Sequence, residues 1–399
     1  MKKKSLYGLP EKVKFCKICT ISNQRPSSVV EFKNNNENKR GIGFNENGIC
    51  EACQYNDIKH NINWNEREVE LKNLLSKYRK KSGYDCIVPG SGGKDSAFTA
   101  HILKYKYKMN PLTVTWAPHL YTNIGWENFT NWMHIGGLDN ILFTPNGKLH
   151  RKLTNLSFKN LLHPFQPFII GQRIIGPKIA KKFNIPLVIY GENQAEYGND
   201  KSSNESPLMK SDFFTEDDES NIKFGTVGID EILQEDEFTY NDFEPYLPLK
   251  KSEIKNFDLN YIYLGYFVKW DPQECFYYAS EKTGFKPNPD RTEGSYSKYS
   301  SIDDKIDPFH YYTTLIKFGI GRATYDTAHE IRNEKIDREE GIALVKKYDT
   351  EFPKKYFKEF LNYIDISEDE FNRTIDSFRP SHLWKKKENK WILKHTIFS

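Results

Sequence analysis

The sequence predicts an α/β fold in which helices cover both faces of a parallel β-sheet. Short apolar segments with strand character alternate with helical segments between residues 84 and 193. A glycine-rich loop connects the first of these strands to the next helix, and a mainly helical pattern follows from about residue 261. Strands that alternate with helices are typical of βαβ units, so the strands are expected to pair in parallel.

Three regions are distinguished along the 399 residues. Residues 1–60 form a loop-rich segment with four of the six cysteines, residues 61–260 form the sheet domain, and residues 261–399 form a mainly helical C-terminal region. Within the sheet domain, the polar and acidic residues 198–260 are expected to be an insertion, a lid or a partly mobile loop. The basic stretch 384–395, WKKKENKWILKH, is expected to be a solvated tail.

The individual elements follow from hydrophobic periodicity. A first helix over residues 61–82 carries apolar residues at helical spacing and ends before Gly83. The strands are predicted at residues 84–88, 111–117, 140–145 and 185–193. The later helices are predicted at residues 96–107, 126–137 and 168–184, and most clearly in the C-terminal region at residues 341–349 and 356–366.

The charge balance gives little support to a nucleic-acid-binding or membrane-bound protein. The 58 basic and 54 acidic residues leave a net charge of +4, which creates no strong attraction to polyanions. The basic start, MKKKSLYGLP, is not followed by an apolar stretch of the secretory type, and no segment is long and apolar enough to span a bilayer. We therefore expect a cytoplasmic protein.

The loop after the first strand has the composition of a phosphate-binding loop. It combines three glycines, two serines and a lysine, namely Gly90, Ser91, Gly92, Gly93, Lys94 and Ser96. Glycines let a ligand approach the backbone, and the free N–H groups at a helix start favour an anion. The loop matches neither a Walker A motif nor a dinucleotide fingerprint, because Asp95 stands where the first needs Ser or Thr and the second needs glycine.

Two short cysteine motifs predict a metal site. Cys16 and Cys19 form one C-x-x-C pair, and Cys50 and Cys53 form a second. Two such pairs in a cytosolic chain are typical of a four-thiolate zinc site, and the alternative of disulfides is disfavoured by a reducing compartment. Because all four ligands come from the protein, no position remains for water. The zinc is therefore expected to be structural.

The run SGGKDS, residues 91–96, resembles the pyrophosphate loop of the PP-loop ATP pyrophosphatases, an adenine nucleotide alpha-hydrolase-like fold. This resemblance implies that ATP is split between its α and β phosphates and that AMP is transferred to a substrate oxygen. It implies contacts of the loop with pyrophosphate and Mg²⁺, and Asp95 is expected to order the metal or the loop. It also places adenine near residues 113–116, which include Thr115. Glu192 and Asn193 follow the fourth strand, where α/β ligands gather.

Almost the whole chain resembles the bacterial N-acetyl sugar amidotransferase family. The resemblance rests on the two cysteine pairs, VPGSGGKDS, YGENQAEYG and the long run from YSKYSS to VKKYD, residues 296–349. Members of this family act in lipopolysaccharide and in pseudaminic or legionaminic acid pathways. The resemblance implies that ATP activates the carbonyl oxygen of a sugar N-acetyl group and that ammonia then displaces AMP. The product carries an acetamidino group, and the substrate is a sugar or a nucleotide-sugar.

The same resemblance suggests residues for the substrate. Charged side chains of the run 296–349 are candidates for substrate or pyrophosphate contacts, namely Lys298, Asp303, Asp304, Lys305, Asp307, His310, Lys317 and Arg322. Arg322 lies between glycine-hinged segments in FGIGRAT, and its guanidinium suits a phosphate or a carboxylate. Lys94, Asp95 and Arg322 are therefore the catalytic candidates.

The source of the nucleophile is a separate question. No cysteine follows Met1 directly, and none lies on a strand–helix turn with histidine partners, so the chain is not expected to release ammonia from glutamine. Ammonia then comes from free ammonium or, as the family implies, from a separate glutaminase subunit with a barrel-type partner.

Two alternatives remain open. A tRNA-thiolating enzyme would need more cysteines than Cys86 and Cys275, which are expected to be buried apolar residues, and a more basic surface. A protein that only senses adenine nucleotides would bind ATP without cleaving it.

Overall fold

The computed structural model describes residues 5–35, 38–199, 205–235 and 237–398. The strands along this part of the chain are β1 (Cys86–Pro89), β2 (Pro111–Trp116), β3 (Asp139–Phe143), β4 (Leu187–Tyr190), β5 (Lys223–Phe224), β6 (Val227–Gly228), β7 (Asn260–Tyr263), β8 (Trp384–Lys387) and β9 (Lys390–Leu393). The helices are α1 (Glu51–His60), α2 (Trp64–Tyr78), α3 (Lys94–Tyr105), α4 (Asn123–His134), α5 (Gly147–Leu161), α6 (Gln166–Lys182), α7 (Ile229–Leu233), α8 (Tyr240–Phe243), α9 (Lys251–Phe257), α10 (Pro272–Thr283), α11 (Asp307–Phe318), α12 (Arg322–Arg332), α13 (Arg338–Tyr348), α14 (Phe357–Ile364) and α15 (Glu368–Ser377).

The centre of the molecule is a five-stranded sheet with the order β3-β2-β1-β4-β7, and all neighbouring strands are parallel. The predicted α/β fold is therefore confirmed, and the four predicted strands correspond to β1–β4. The order reverses between β1 and β4, so the loops after these two strands diverge and open a crevice at the carboxyl edge. The fifth strand, β7, begins at Asn260, so the sheet continues past the domain boundary placed at residue 260.

Both faces of the sheet are covered by helices. Side chains of successive strand residues point to opposite faces, so Cys86 and Val88 pack into one core and Ile87 into the other. The first core includes residues of α2, α3, α4 and α10, whereas the second includes residues of α5 and α6. Helix α5 is absent from the sequence prediction. Its apolar residues are spaced for one buried face, and Leu149 and Leu153 on that face are fully buried.

The residues between β4 and β7 form a packed insertion. Phe214, Phe224 and Tyr246 belong to the core on the α5 and α6 face, and the ring of Tyr246 meets that of Trp116 edge-on at 5.2 Å. The backbone N–H of Met209 also donates to Tyr261 O at 2.7 Å, beside β7. The described residues between β4 and β7 therefore pack against the sheet through their aromatic side chains, while the division of the chain into domains stays a prediction. Residues 200–204 and 236 lie outside the described part of the chain.

The predicted solvated tail is wrong, because β8 and β9 form an antiparallel hairpin. The indole of Trp384 is buried and donates to Ile316 O at 2.8 Å. The guanidinium of Arg379 lies 4.4 Å from the ring centroid of Trp384 and 5.4 Å from that of Trp391. The lysines alone suggested solvent, whereas the two tryptophans anchor the hairpin. None of the helices in the described part of the chain has the length and apolarity that a bilayer crossing requires.

Candidate active site

Three adjoining cavities lie at the crevice between β1 and β4. They enclose about 440, 290 and 150 Å³ and are called the large, middle and small cavity below. Asp95 and Glu192 line all three, so the cavities lie side by side around these two carboxylates. This position is the one where ligands bind in open α/β sheets.

The glycine-rich loop forms the sheet side of the middle cavity. Gly92 has φ +81°, and a Cβ at this residue would lie 2.8 Å from the Cα of Phe129. A Cβ at Gly90 would lie 2.2 Å from the Cβ of Ser96. Helix α3 starts at Lys94, and its N-cap residue, Gly93, offers no side chain to bond the first N–H groups. The loop therefore presents the backbone of a helix start to the cavity, as its sequence predicts.

A buried cation and two carboxylates meet beside this loop. The Nζ of Lys94 lies 2.5 Å from Oδ2 of Asp95. Burial lowers the pKa of Lys94, but the carboxylates of Asp95 and Glu192 more than offset this, so the net pKa is raised and the amine stays charged. Burial and the charge of Asp95 raise the pKa of Glu192 to about 7, while Lys94 opposes this change.

The same carboxylates fit a divalent cation. Oδ1 of Asp95 is buried and has no hydrogen-bond partner among the described residues, and Glu192 faces the same cavities. Carboxylate oxygens are the ligands that Mg²⁺ prefers, and a cation here would relieve the repulsion between the two groups. Asp95 and Glu192 are therefore the residues that would hold Mg²⁺.

Arg322 stands between the large and the middle cavity and lines both. Its Nη1 donates to Ser301 Oγ at 2.6 Å, its Nε lies 3.0 Å from Oδ1 of Asp326, and its guanidinium lies 4.1 Å from the ring centroid of Tyr311. These contacts hold the planar group in one orientation beside the space that leads from the glycine-rich loop. The position agrees with the prediction for Arg322, although its catalytic role stays a prediction.

Many of the residues predicted for the site come together although they are far apart in the chain. Those that line the middle cavity are Ser91, Gly92, Gly93, Lys94, Asp95, Glu192, Asp303 and Arg322. Ser96 lines the small cavity and His310 lines the large one. Asp307 lies close to Arg322. Burial raises the pKa of Asp307 to about 7, and the charge of Arg322 opposes this rise.

Two residues predicted for ATP and four predicted for the substrate lie away from these cavities. Thr115 is fully buried, and its hydroxyl accepts from Asn140 Nδ2 at 2.9 Å. The Asn193 side chain accepts from Ala195 N at 3.1 Å and caps the short helical turn Gln194–Tyr197. These side chains are used by the sheet and the turn, so the structure does not present them to a nucleotide.

The four substrate candidates are displaced for similar reasons. The carboxylate of Asp304 is buried and lies 2.7 Å from Nδ1 of His119. Lys298 is exposed and donates to Pro289 O at 2.8 Å, and Lys305 lies 3.9 Å from Glu359. Lys317 is buried and donates to Leu161 O at 3.0 Å. Charge alone marks all of them in the sequence, whereas the direction of each side chain depends on its tertiary contacts.

Sequence reasoning missed two arginines that line the large cavity, Arg25 and Arg173. Arg173 lies on α6 with Ile169 and Gln172, which also line the cavity at helical spacing. A single arginine in the apolar run FIIGQRIIG was a signal that could have been used. Arg25 lies in the cysteine segment, and no local pattern marked it.

The four cysteines of the two C-x-x-C pairs form a buried cluster. Their Sγ atoms all lie within 4.8 Å of one another, with Cys16 and Cys53 3.9 Å apart and Cys19 and Cys50 3.7 Å apart. A tetrahedral zinc site with Zn–S distances of about 2.3 Å places its sulfurs about 3.8 Å apart. The four side chains therefore fit zinc closely.

Helix α12 lies between the cysteine cluster and the large cavity. Ala328 belongs to the same buried core as the four cysteines, whereas Arg322 and His329 line the cavity. Arg332 at the end of this helix donates to Glu196 O at 3.0 Å, and the nearby thiols raise its pKa although burial lowers it. The cysteine cluster thus packs against the helix that forms one wall of the cavity.

Comparison with known proteins finds one family model that matches part of the chain and three individual similarities. Residues 293–397 match the C-terminal domain of WbpG-like lipopolysaccharide biosynthesis proteins. The uncharacterized protein MJ1599 of Methanocaldococcus jannaschii is 36% identical over 77 residues. These residues are 19% of this chain, and the match spans 27% of that relative's length.

Two solved structures have low sequence identity and low TM-scores to this chain. A predicted subunit of tRNA methyltransferase from Methanocaldococcus jannaschii has 16% identity and a TM-score of 0.26, over 49% of this chain and 74% of that one. NMN synthetase from Francisella tularensis has 15% identity and a TM-score of 0.29, over 71% of this chain and 96% of that one.

The segment that supplies Asp303, His310 and Arg322 to the cavities lies within the family match. It is similar to the C-terminal domain of lipopolysaccharide biosynthesis proteins of the WbpG type.

Proposed function

We propose that this protein is an ATP-dependent, AMP-forming amidotransferase. It converts the N-acetyl group of a bacterial surface-polysaccharide or flagellin-glycan sugar into an acetamidino group. The observation that carries the proposal is that two cavities adjoin. The glycine-rich loop with Lys94 faces a middle cavity that shares lining residues with the large cavity, and residues of the segment similar to WbpG-like proteins line both.

The middle cavity suits the polyphosphate of ATP. The N–H groups at the start of α3 and the amine of Lys94 are oriented before any ligand binds, so they stabilise negative charge that develops on departing pyrophosphate. Mg²⁺, held by Asp95 and Glu192, would neutralise further charge on the phosphates. The Lys94 amine remains charged because its neighbours raise its pKa, as the proposed role requires.

The reaction proceeds in two displacements. The carbonyl oxygen of the N-acetyl group bonds to the α phosphorus of ATP, and the bond to pyrophosphate breaks. Ammonia then bonds to the carbonyl carbon, and the carbon–oxygen bond breaks so that the oxygen leaves with AMP. The product is an amidinium. Arg322 lies where the two cavities meet and would stabilise the phosphate of the AMP portion during both steps.

Ammonia is proposed to come from solution or from a separate glutaminase subunit with a barrel-type partner. Outside the metal cluster the chain has Cys86 and Cys275, and both are buried. Burial raises the pKa of each thiol, so neither offers a reactive thiolate. The same observation weakens the alternative of tRNA thiolation, which needs a sulfur-carrying cysteine.

Product analysis tests the proposal directly. The protein is incubated with MgATP, ammonium and a panel of acetamido sugars and their nucleotide-linked forms, and the products are separated and weighed by mass spectrometry. One AMP and one pyrophosphate are expected for each sugar oxygen that is replaced by nitrogen, and ¹⁵N-labelled ammonium should appear in the sugar. Formation of ADP and phosphate, or sulfur incorporation into tRNA in a parallel assay, would contradict it.

A further inference from the structure

The cations of the large cavity differ in whether they have a carboxylate partner. Five cationic side chains line it, namely Arg25, Lys94, Arg173, Arg322 and Lys335. Three of them form ion pairs, which are Lys94 with Asp95 at 2.5 Å, Arg322 with Asp326 at 3.0 Å and Lys335 with Asp271 at 3.1 Å. Within the described ranges, Arg25 and Arg173 form none. Among the residues that the structure describes, no carboxylate therefore forms an ion pair with either of them.

Arg25 is held in place without being neutralised. Its side chain is buried, and its guanidinium lies 5.5 Å from the ring centroid of Tyr325 and 5.8 Å from that of Tyr197. Nη2 makes a long contact with Oδ1 of Asn199 at 3.5 Å, and the Tyr325 hydroxyl is a second, uncharged hydrogen-bond partner of the guanidinium. The backbone is fixed by Ile42, whose N–H donates to Arg25 O at 2.9 Å. The cysteine segment thus presents a rigid guanidinium to the cavity.

Arg173 shows the same arrangement on the sheet side. Its guanidinium lies 5.5 Å from the ring centroid of Tyr190 and 5.4 Å from that of Phe213. Nη1 lies 3.8 Å from Met209 Sδ, a weak acceptor, and the Tyr263 hydroxyl is a further hydrogen-bond partner of the guanidinium. Aromatic faces hold a guanidinium through its plane and leave the N–H groups at its edge available.

The carboxylates of the large cavity are already engaged. Asp95, Asp271 and Asp326 pair with the three cations named above, and Glu330 accepts from the Tyr296 hydroxyl at 2.7 Å. Glu192 has the Tyr197 hydroxyl as a hydrogen-bond partner, and the charges of Lys94 and Arg173 both oppose the rise of its pKa. The two histidines of this cavity, His310 and His329, add no charge near neutral pH because burial lowers the pKa of each. The free positive charge of this space therefore belongs to the two arginines.

We propose that Arg25 and Arg173 bind an anionic group of the acceptor, a carboxylate or a phosphate separate from the reacting N-acetyl group. The identity of the acceptor as a sugar rests on the proposed function. Neither arginine lines the middle or the small cavity, where the glycine-rich loop lies, so the pyrophosphate of ATP is not their ligand. A guanidinium that stays charged and presents a fork of N–H groups is well suited to both anions.

Acceptors that differ only in charge test this assignment. The panel contains a neutral acetamido sugar, the corresponding uronic acid and the corresponding sugar 1-phosphate. Binding is measured by calorimetry without ATP, and kcat/KM is measured with MgATP and ammonium. One anionic acceptor should be preferred over the neutral sugar by roughly 10- to 100-fold, since a hydrogen bond to a charged group contributes about 1.5–3 kcal/mol. The preferred anion distinguishes the carboxylate from the phosphate.

Variants assign the preference to the two residues. Arg25→Gln and Arg173→Gln should each raise the Kd and KM of the anionic acceptor by roughly 10-fold or more, with little change for the neutral sugar or ATP. Arg151→Gln, at an exposed arginine outside the cavities, is the matched control. Thermal unfolding checks that each variant is folded. If a variant does not fold, the preference of the wild-type protein for an anionic over the neutral acceptor tests the inference.

The outcomes separate this inference from the proposed function. Equal binding of neutral and anionic sugars by the wild-type protein would overturn the inference even if amidination occurs. Weaker ATP binding in both variants with an unchanged acceptor preference would also overturn it. Conversely, anion binding that depends on both arginines without any AMP formation would support the anion site and contradict the amidotransferase.

Discussion

The two walls of the adjoining cavities hold their groups by different means. The wall at the sheet is one continuous stretch, residues 90–96, whose donors belong to the backbone at the start of α3. The rest of the lining is assembled from distant segments, with Arg25, Arg173 and Arg322 on separate parts of the chain. A backbone site depends on local geometry, whereas an assembled wall depends on the packing of whole segments. Loss of packing should therefore impair acceptor binding before it impairs ATP binding.

The largest effect is expected when the cysteine cluster is disrupted. Replacing Cys50 and Cys53 by serine removes two of four thiolates, and a structural zinc site supplies roughly 10 kcal/mol of local folding free energy. Because Arg25 lies in this segment, binding of the anionic acceptor should be lost while ATP binding remains measurable.

Zinc content by mass spectrometry and the two Kd values by calorimetry measure this prediction. Cys86→Ala is the control, since this buried cysteine lies outside the cluster and its replacement should leave the zinc content unchanged. A folded wild-type protein without zinc that still binds both ligands would show that the assembled wall does not need the metal.

The next effect concerns the contact between the cysteine segment and the loop after β4. Lys59 Nζ lies 2.8 Å from Oε1 of Glu196, and both side chains are buried. Lys59→Met should lower the free energy of unfolding by about 3–5 kcal/mol, because it leaves a buried carboxylate unpaired. Denaturant titration measures this loss, and adding Glu196→Leu should recover most of it.

An exposed pair gives the comparison for Lys59. Lys286 and Glu127 lie 2.6 Å apart on the surface, and Lys286→Met should change the free energy of unfolding by about 1 kcal/mol or less. Similar losses for Lys59→Met and Lys286→Met would mean that the buried pair does not hold the segment.

A change in the backbone wall should affect rate more than stability. Lys94→Ala removes the cation beside the glycine-rich loop and should lower kcat for AMP formation by roughly 10²–10³-fold, the usual effect of removing one electrostatic group at a developing charge. Lys298→Ala, at an exposed lysine, should leave kcat unchanged. Normal kcat in Lys94→Ala with unaltered folding would show that the loop does not bind pyrophosphate during catalysis.

The smallest effect is a pH-dependent change in the free energy of unfolding that arises from Lys317, a buried residue of α11. Burial and the charge of Lys39 lower its pKa to about 7, so the folded protein disfavours the charged amine that the unfolded chain prefers. Stability should therefore rise as the pH increases from about 7 toward the usual lysine pKa of about 10.4. Lys317→Met should be stabilised relative to wild type at pH 7, and this advantage should shrink as the pH rises.

The free energies of unfolding of Lys317→Met and of the wild type are measured between pH 6.5 and pH 9.5. They test whether the difference between the two proteins decreases as the pH rises. A constant difference across this range would show that the lysine is charged in the fold. Turnover should be unchanged in this variant, because the side chain does not line the cavities and donates to Leu161 O.

The parts of the molecule that local sequence specifies could be predicted, and the parts that depend on packing could not. Glycines before a helix start determine where backbone donors lie, so the loop at Lys94 was located together with its neighbours. Cysteine spacing similarly indicated the metal cluster. Arg25 reaches the cavity only because α12 and the cysteine segment pack together, and no local pattern encodes that contact.

In the C-terminal region, too, the sequence does not show which charged residues reach the cavities. The charges of Lys298, Lys305 and Asp304 are as prominent in the sequence as that of Arg322, yet they point to solvent, to a neighbouring helix or to His119. Helical spacing predicts that a residue lies on a face, but which face meets the cavity is decided by tertiary contacts. The hairpin of β8 and β9 was missed because its lysines hid the anchoring tryptophans.

The position of α12 between the cysteine cluster and the large cavity has an evolutionary consequence. Under the proposed function, the nucleotide is bound by the loop of the central sheet, while the acceptor is bound where the two ends of the chain meet, with Arg173 of α6 as the one contribution from the centre. Descendants of such a protein could acquire new acceptors by exchanging those ends together, leaving the nucleotide module intact. Grafting only one end would break the pairing across α12, so hybrid designs should inherit both ends from the same parent.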